Sequence, residues 1–109
     1  MSNNREVLFL KEVNGVNEWF ENGNEKTDAK YVGEIKKGVP NGTGTNTWPS
    51  GAMYKGNFKD GHFHGQGTRT LPDGSKLVGI FKDDEPWNTT ENDKEGTIIG
   101  KIVNGVEQK

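Results

Sequence analysis

The sequence predicts an all-β protein, an elongated single-layer antiparallel sheet built from tandem β-hairpins. Three observations carry that prediction. The chain matches itself at a displacement of 23 residues. Apolar and charged side chains alternate with period two inside each unit. The 16 glycines among 109 residues leave no window with capped helical periodicity.

The first element, residues 1–30, reads as an N-terminal cap. Val7 to Val13 suits an edge strand, and Asn14-Gly15 is a hairpin-turn signal. Glu18-Trp19-Phe20-Glu21 followed by Asn22-Gly23 reads as another strand end and turn, and Asn22 to Lys30 as polar loop.

The two central units, 31–53 and 54–76, share ten identities in 23 positions: Tyr31/Tyr54, Gly33/Gly56, Lys36/Lys59, Gly38/Gly61, Gly42/Gly65, Gly44/Gly67, Thr45/Thr68, Thr47/Thr70, Pro49/Pro72 and Gly51/Gly74. Tyr54, Gly56 and Phe58 alternate with Lys55, Asn57 and Lys59, so one strand face is apolar and the other charged. Gly61 to Gly65 then encloses a short loop, His62-Phe63-His64, and Thr68 to Leu71 returns as the partner strand. Trp48-Pro49-Ser50-Gly51 and Leu71-Pro72-Asp73-Gly74 join the units, proline pre-setting φ and glycine taking a positive φ. Glycine weakens a strand, so Gly33, Gly56 and Gly79 need a reason. The favoured one is a bare backbone over which Tyr31, Tyr54 or Phe58 lies flat; the other is a bulge or twist.

A degenerate third unit covers 77–96, with Gly79 and Phe81 in register and Asp84 and Asn88 where the pattern has glycine. Trp87 within it is expected to fold back as a lid, its rival role being a partner anchor. Thr89 to Glu95 reads as a polar excursion, and 97–109 as a C-terminal capping strand. Degenerate ends are what a stacked array needs to stop growing.

The pattern at Tyr54, Gly56, Phe58, Gly61, Gly65 and Gly67 resembles the MORN (membrane occupation and recognition nexus) repeat. The resemblance is close over 31–76, weak to about 105 where Leu77 replaces the tyrosine, and does not clearly reach 1–28. It implies a twisted sheet of successive hairpins serving as a scaffold, dimerisation or docking module. Proposed lipid-headgroup binding is not uniform in that family.

Composition narrows the chemistry. Leu, Ile, Val and Phe together make 22 of 109 residues, so the core is thin and association is favoured. A net charge of −2 with intermixed signs supplies no field for nucleic acid. Cysteine is absent, which removes disulfides and thiolate chemistry and fits a reducing, cytoplasmic setting. Val7-Leu8-Phe9-Leu10 is shorter than a signal-peptide core, and no stretch is long enough to span a bilayer, so the chain is expected to be soluble and unprocessed.

Catalysis is not expected. The serines, Ser2, Ser50 and Ser75, lie at the terminus or in turns, and no nucleophile elbow, phosphate loop or zinc motif occurs. His62 and His64 offer two imidazoles but no third ligand, so no metal or cofactor is expected. Asp83-Asp84-Glu85 lacks the ligand spacing of a calcium loop. The aligned Thr45, Thr47, Thr68 and Thr70 suit strands.

The expected function is therefore a non-catalytic interaction module. It docks an unidentified protein, or a second copy of the chain as a homodimer, through Tyr31, Trp48, Tyr54, Phe58, Phe63, Leu71 and Trp87. The alternative is a peripheral module for membrane phospholipid, using Lys36, Lys59 and Lys82, which share one repeat position.

Overall fold

A computed structural model describes residues 5–108; Ser2 lies outside them. Ten strands succeed one another: β1 (Arg5–Val13), β2 (Val16–Phe20), β3 (Ala29–Lys36), β4 (Val39–Thr47), β5 (Met53–Lys59), β6 (His62–Thr70), β7 (Lys76–Lys82), β8 (Glu85–Asn92), β9 (Ile98–Val103) and β10 (Val106–Gln108). All belong to one open antiparallel sheet in the order β10-β9-β8-β7-β6-β5-β4-β3-β1-β2.

Two-residue turns close the five hairpins, each with both central residues at positive φ: Asn14-Gly15, Lys37-Gly38, Asp60-Gly61, Asp83-Asp84 and Asn104-Gly105. Such turns match the right-handed twist of the flanking strands. Asp60-Gly61 is the turn, so His62-Phe63-His64 begins β6 rather than forming a loop. Between hairpins the predicted joints hold: Gly51 N–H donates to Trp48 O at 3.0 Å and Gly74 N–H to Leu71 O at 2.9 Å. A third joint of the same form stands at Asp93 to Gly96, where Gly96 N–H donates to Asp93 O at 2.9 Å. The expected polar excursion over Thr89 to Glu95 is thus the end of β8 followed by a tight turn, and the C-terminal cap is two strands rather than one.

The N-terminal hairpin departs from the array. β1 is not the edge strand: it pairs with β2 on one side, Leu10 opposite Trp19, and with β3 on the other, Leu8 opposite Tyr31. The edge is β2, only five residues long. The polar stretch after Phe20 carries the chain back past β1 to start β3.

Register explains the glycines. Gly33 faces Gly44, Gly44 faces Gly56, Gly56 faces Gly67, and Gly67 faces Gly79, so five glycines make one row across five strands. The next row on the same face reads Leu8, Tyr31, Asn46, Tyr54, Arg69, Leu77, Glu91. The tyrosines lean from this row over glycines of the neighbouring strand. A Cβ on Gly44 would strike the Tyr31 ring, and one on Gly67 the Tyr54 ring. Rings therefore cover Gly44 and Gly67, not Gly33, Gly56 and Gly79. At Gly33 and Gly56 the register shifts, and a Cβ there would meet the backbone of the opposite strand, at Gly33 the Tyr31 hydroxyl as well; at Gly79 it would meet Asn88 backbone.

Those bulges have a second consequence. Glu34 and Asn57 are skipped by the β3–β4 and β5–β6 ladders respectively. Their carbonyls accept instead from tyrosine hydroxyls, Tyr31 Oη to Glu34 O at 2.6 Å and Tyr54 Oη to Asn57 O at 2.9 Å. One side chain thus fills the glycine row and satisfies the backbone that the bulge frees.

The core is Leu8, Tyr31, Tyr54, Phe58, Phe63 and Phe81, all on the face of the glycine row. Tyr54 stacks on Phe63 at 3.9 Å between centroids and meets Phe58 and Phe81 edge-on at 5.1 and 5.2 Å. Such pairs add about 0.5–1.5 kcal/mol each beyond their burial. One flat layer of ten strands would be roughly 43 Å across and about 10 Å thick. The extents are 44 × 31 × 26 Å, so the sheet is strongly twisted, and Trp19 of β2 reaching Gly61 at the β5–β6 turn, four strands away, shows that it curls toward the glycine-row face.

Candidate functional site

Four of the residues expected to touch a partner make the core instead. Tyr31 and Tyr54 are wholly buried, and Phe58 and Phe63 nearly so, because a single sheet can find burial only by laying its own rings across itself. Trp87 is half-buried in β8, packed beside Gly105 with Lys82 Nζ 4.7 Å from its ring centroid, which holds it in the fourth hairpin. Lys36, Lys59 and Lys82 are exposed, each next to a core-facing residue and so directed to the outer face. Trp48 and Leu71, at equivalent joints, are half-buried.

Trp48 marks a cleft of about 330 Å³ on the concave face, lined by Leu10, Asn17, Trp19, Asn46, Trp48, Gly61, His62, Phe63, Arg69 and Asp84. Every segment that meets there is positioned by something already described. Because β1 is inserted between β2 and β3, Trp19 stands on the outermost strand, and the coil of the sheet brings it over the concave face. Its ring lies 6.1 Å from Tyr31, and its Nε1 would be 3.2 Å from a Cβ on Gly61, at the turn of the third hairpin. Trp48 caps the end of β4 and meets Phe63 edge-on at 5.9 Å. Arg69 sits over both rings, its guanidinium carbon 5.4 Å from the Trp48 centroid and 5.8 Å from that of Phe63.

Polar groups converge on this aromatic frame. Asn46 is 2% exposed, yet its Oδ1 has no hydrogen-bond partner among the described residues, and the buried Nε of Arg69 has none among them either. A buried polar atom left unpaired costs about 1–3 kcal/mol. Asp84 is fully engaged: Oδ1 accepts from Phe63 N–H at 2.8 Å and Oδ2 meets His62 Nδ1 at 2.6 Å. Its backbone N–H also donates to Phe63 O at 3.0 Å. The turn of the fourth hairpin is thereby pinned to the start of β6, as Gly61 N–H to Pro40 O at 2.8 Å pins the turn before it.

Burial pushes the Tyr54 phenol up to about 12, against the opposing pull of its bond to the Asn57 carbonyl, so it stays a neutral donor inside the core. His62 Nδ1 meets Asp84 Oδ2 at 2.6 Å, whereas His64 Nδ1 stands 3.8 Å from Asp83 Oδ1, too far for a hydrogen bond, so the two imidazoles face different carboxylates. Among the described residues no cluster of three His, Cys, Asp or Glu side chains has the arrangement of a metal site.

Trp19, Asn46, Arg69 and Asp84 were not singled out as site residues from the sequence. One signal for them was there. Asn46 and Arg69 occupy the same repeat position, inward-facing on the return strand, where the two copies differ in kind while glycine, threonine and proline around them repeat. Trp19 carried no such signal, since its place depends on the strand order at the N-terminal edge.

The MORN repeat family model matches residues 31–53 and 54–76, the two units that the internal comparison delimits. No curated protein matches the chain. MORN repeats form a non-catalytic repeat module generally associated with protein or membrane-lipid interaction.

Proposed function

The chain is a MORN-repeat protein, and from that premise we propose that it is a protein-docking module whose contact site is the cleft between Trp19 and Trp48. The observation that carries this reading is the pair of orphaned buried polar atoms, Asn46 Oδ1 and Arg69 Nε, in a cleft walled by half-buried tryptophans. Tryptophan and arginine are the residues most often found at binding hot spots, and a desolvated acceptor and donor are satisfied when a partner brings the complementary groups. The contact set is then Leu10, Trp19, Trp48 and Arg69, with Phe63 as the floor, and Leu71 lies outside it. Lack of cysteine suits a cytoplasmic setting.

The test compares tagged wild-type chain with Trp48→Ala and with Lys55→Ala on the outer face, as baits in native lysate. A partner retained by Lys55→Ala and lost by a folded Trp48→Ala supports the cleft. Capture indifferent to Trp48→Ala contradicts it. A partner that is a second copy of the chain would appear as dimer by sedimentation, and the same variant would dissociate it.

One observation favours a second reading. Strand alternation sends Lys30, Lys36, Lys55, Lys59, Lys76, Lys82 and Lys101 to the outer face, where Glu18 and Glu85 also lie, while Glu6, Glu91 and Glu107 face inward. Each cation near an anionic bilayer is worth about 1 kcal/mol. This face would bring the chain to a membrane as a peripheral protein; among the described residues no helix is long and apolar enough to cross one. Salt-sensitive sedimentation with phosphatidylserine vesicles, abolished by Lys36→Glu/Lys59→Glu/Lys82→Glu, is the expected result, and failure to sediment at low salt removes the reading.

A further inference from the structure

Resting on the docking reading above, we propose that the cleft receives a peptide's C-terminal end, an apolar residue bearing a free α-carboxylate. Arg69 names the charge. Its guanidinium has no carboxylate partner among the described residues, and its buried Nε has no acceptor. A guanidinium held on aromatic rings is stiffened for the two-point contact that a carboxylate makes. A cationic ligand is disfavoured for the same reason: Arg69 already lies over the Trp48 and Phe63 rings on which an ammonium group would rest. Asp84, the carboxylate of the cleft, has both oxygens engaged by Phe63 N–H and His62 Nδ1.

Asn46 names the second group. Its orphaned Oδ1 is an acceptor, so the ligand must bring a donor, and a peptide N–H is the donor that accompanies every chain end. Leu10, Trp19 and Trp48 name the third, an apolar side chain. A single terminal residue carries an N–H, a side chain and a carboxylate together. The volume, about 330 Å³, is at the small end of ligand cavities and suits a chain end better than a through-running helix or strand.

The test titrates full-length chain with N-acetylated hexapeptides ending in Leu, Val or Phe, each as free acid and as C-terminal amide. Tryptophan fluorescence and the Arg69 Nε–H nuclear resonance are the two readouts. The expected result is a shift of that resonance by the free acids and binding at least about tenfold tighter than by the amides, the scale of one charged hydrogen bond. Arg69→Gln should erase the difference between acid and amide, and Arg69→Lys should restore part of it. The acid–amide comparison is made on wild-type chain, so it stands even where a variant fails to fold. Acids and amides binding alike would overturn the proposal and leave the docking reading intact. An amidated peptide with an internal glutamate binding as well as the free acid would overturn the chain-end assignment. No response to any free acid at millimolar concentration would overturn it too, while lysate capture sensitive to Trp48→Ala would still support docking.

Discussion

Glycine at position 67 and glycine at position 51 look equivalent in a composition table and are opposite in physics. At Gly51 φ is +96° and nothing lies within 4 Å of an added Cβ, so Gly51→Ala costs only the left-handed backbone, about 1–2 kcal/mol. At Gly67 an added Cβ would run into the buried Tyr54 ring, so Gly67→Ala should cost about 3 kcal/mol or more, read as the difference in urea midpoints. Equal costs would contradict the ring-over-glycine account. Tyr54→Phe keeps the ring but orphans the Asn57 carbonyl, and a loss of about 1–3 kcal/mol is expected. The same phenol sets a pH limit. Burial holds its folded pKa at about 12, above the 10.0 of an ordinary phenol, so stability should be level below pH 10 and fall as pH rises toward 12; Tyr54→Phe should lack that limb. At this scale the sequence told that rings cover glycines but named the wrong ones. Spacing along the chain fixes position within a strand, whereas the glycine beneath a ring belongs to the neighbouring strand, and cross-strand register is not written in spacing.

Hairpins are the element that the 23-residue period builds, and the turn is where each one is fixed. Asp84 occupies a glycine position of the pattern with φ at 74°, an unfavourable place for a side chain. Its carboxylate compensates through Phe63 N–H and His62. Asp84→Gly relieves the backbone and removes the pin, and because a charged hydrogen bond is worth about 1.5–3 kcal/mol against about 1–2 for the strain, the net effect should be a small loss of Tm. A gain in Tm would show that the pin is worth less than the strain it offsets. The joints at Pro49-Ser50-Gly51 and Pro72-Asp73-Gly74 were legible because their residue types demand one turn geometry. The Asp60-Gly61 turn was misplaced by one step: the glycines bounding His62-Phe63-His64 suggested a loop, whereas an Asp-Gly pair alone makes a two-residue turn. The insertion of β1 between β2 and β3 had no local signal, since strand order depends on pairings between segments distant in the chain.

For the whole molecule, coiling turns a thin sheet into one with an inside. Ten strands with 22 large aliphatic and Phe residues cannot cover two faces, and the concave side collects most of the rings while the convex side keeps lysine, threonine, scattered valine and the Phe9/Phe20 pair. The fold class and the two central repeats, 31–53 and 54–76, were legible in the sequence because they rest on periodicity, whereas the association with binding came from the thin core and the resemblance to the MORN repeat. The cleft was not, because it joins Trp19 of the edge hairpin to Trp48 and Arg69 of the repeats, residues brought together only by strand order and coil. Trp19→Ala should therefore leave the repeats folded by circular dichroism while weakening partner capture about as much as Trp48→Ala. The most direct measurement places a photo-crosslinking amino acid at Asn17, on the rim of the cleft, or at Lys55, on the convex face, and irradiates each in native lysate. The account predicts a discrete protein adduct from position 17 that Arg69→Gln suppresses, and none from position 55. An adduct from position 55 alone would contradict it and place the working surface on the opposite face.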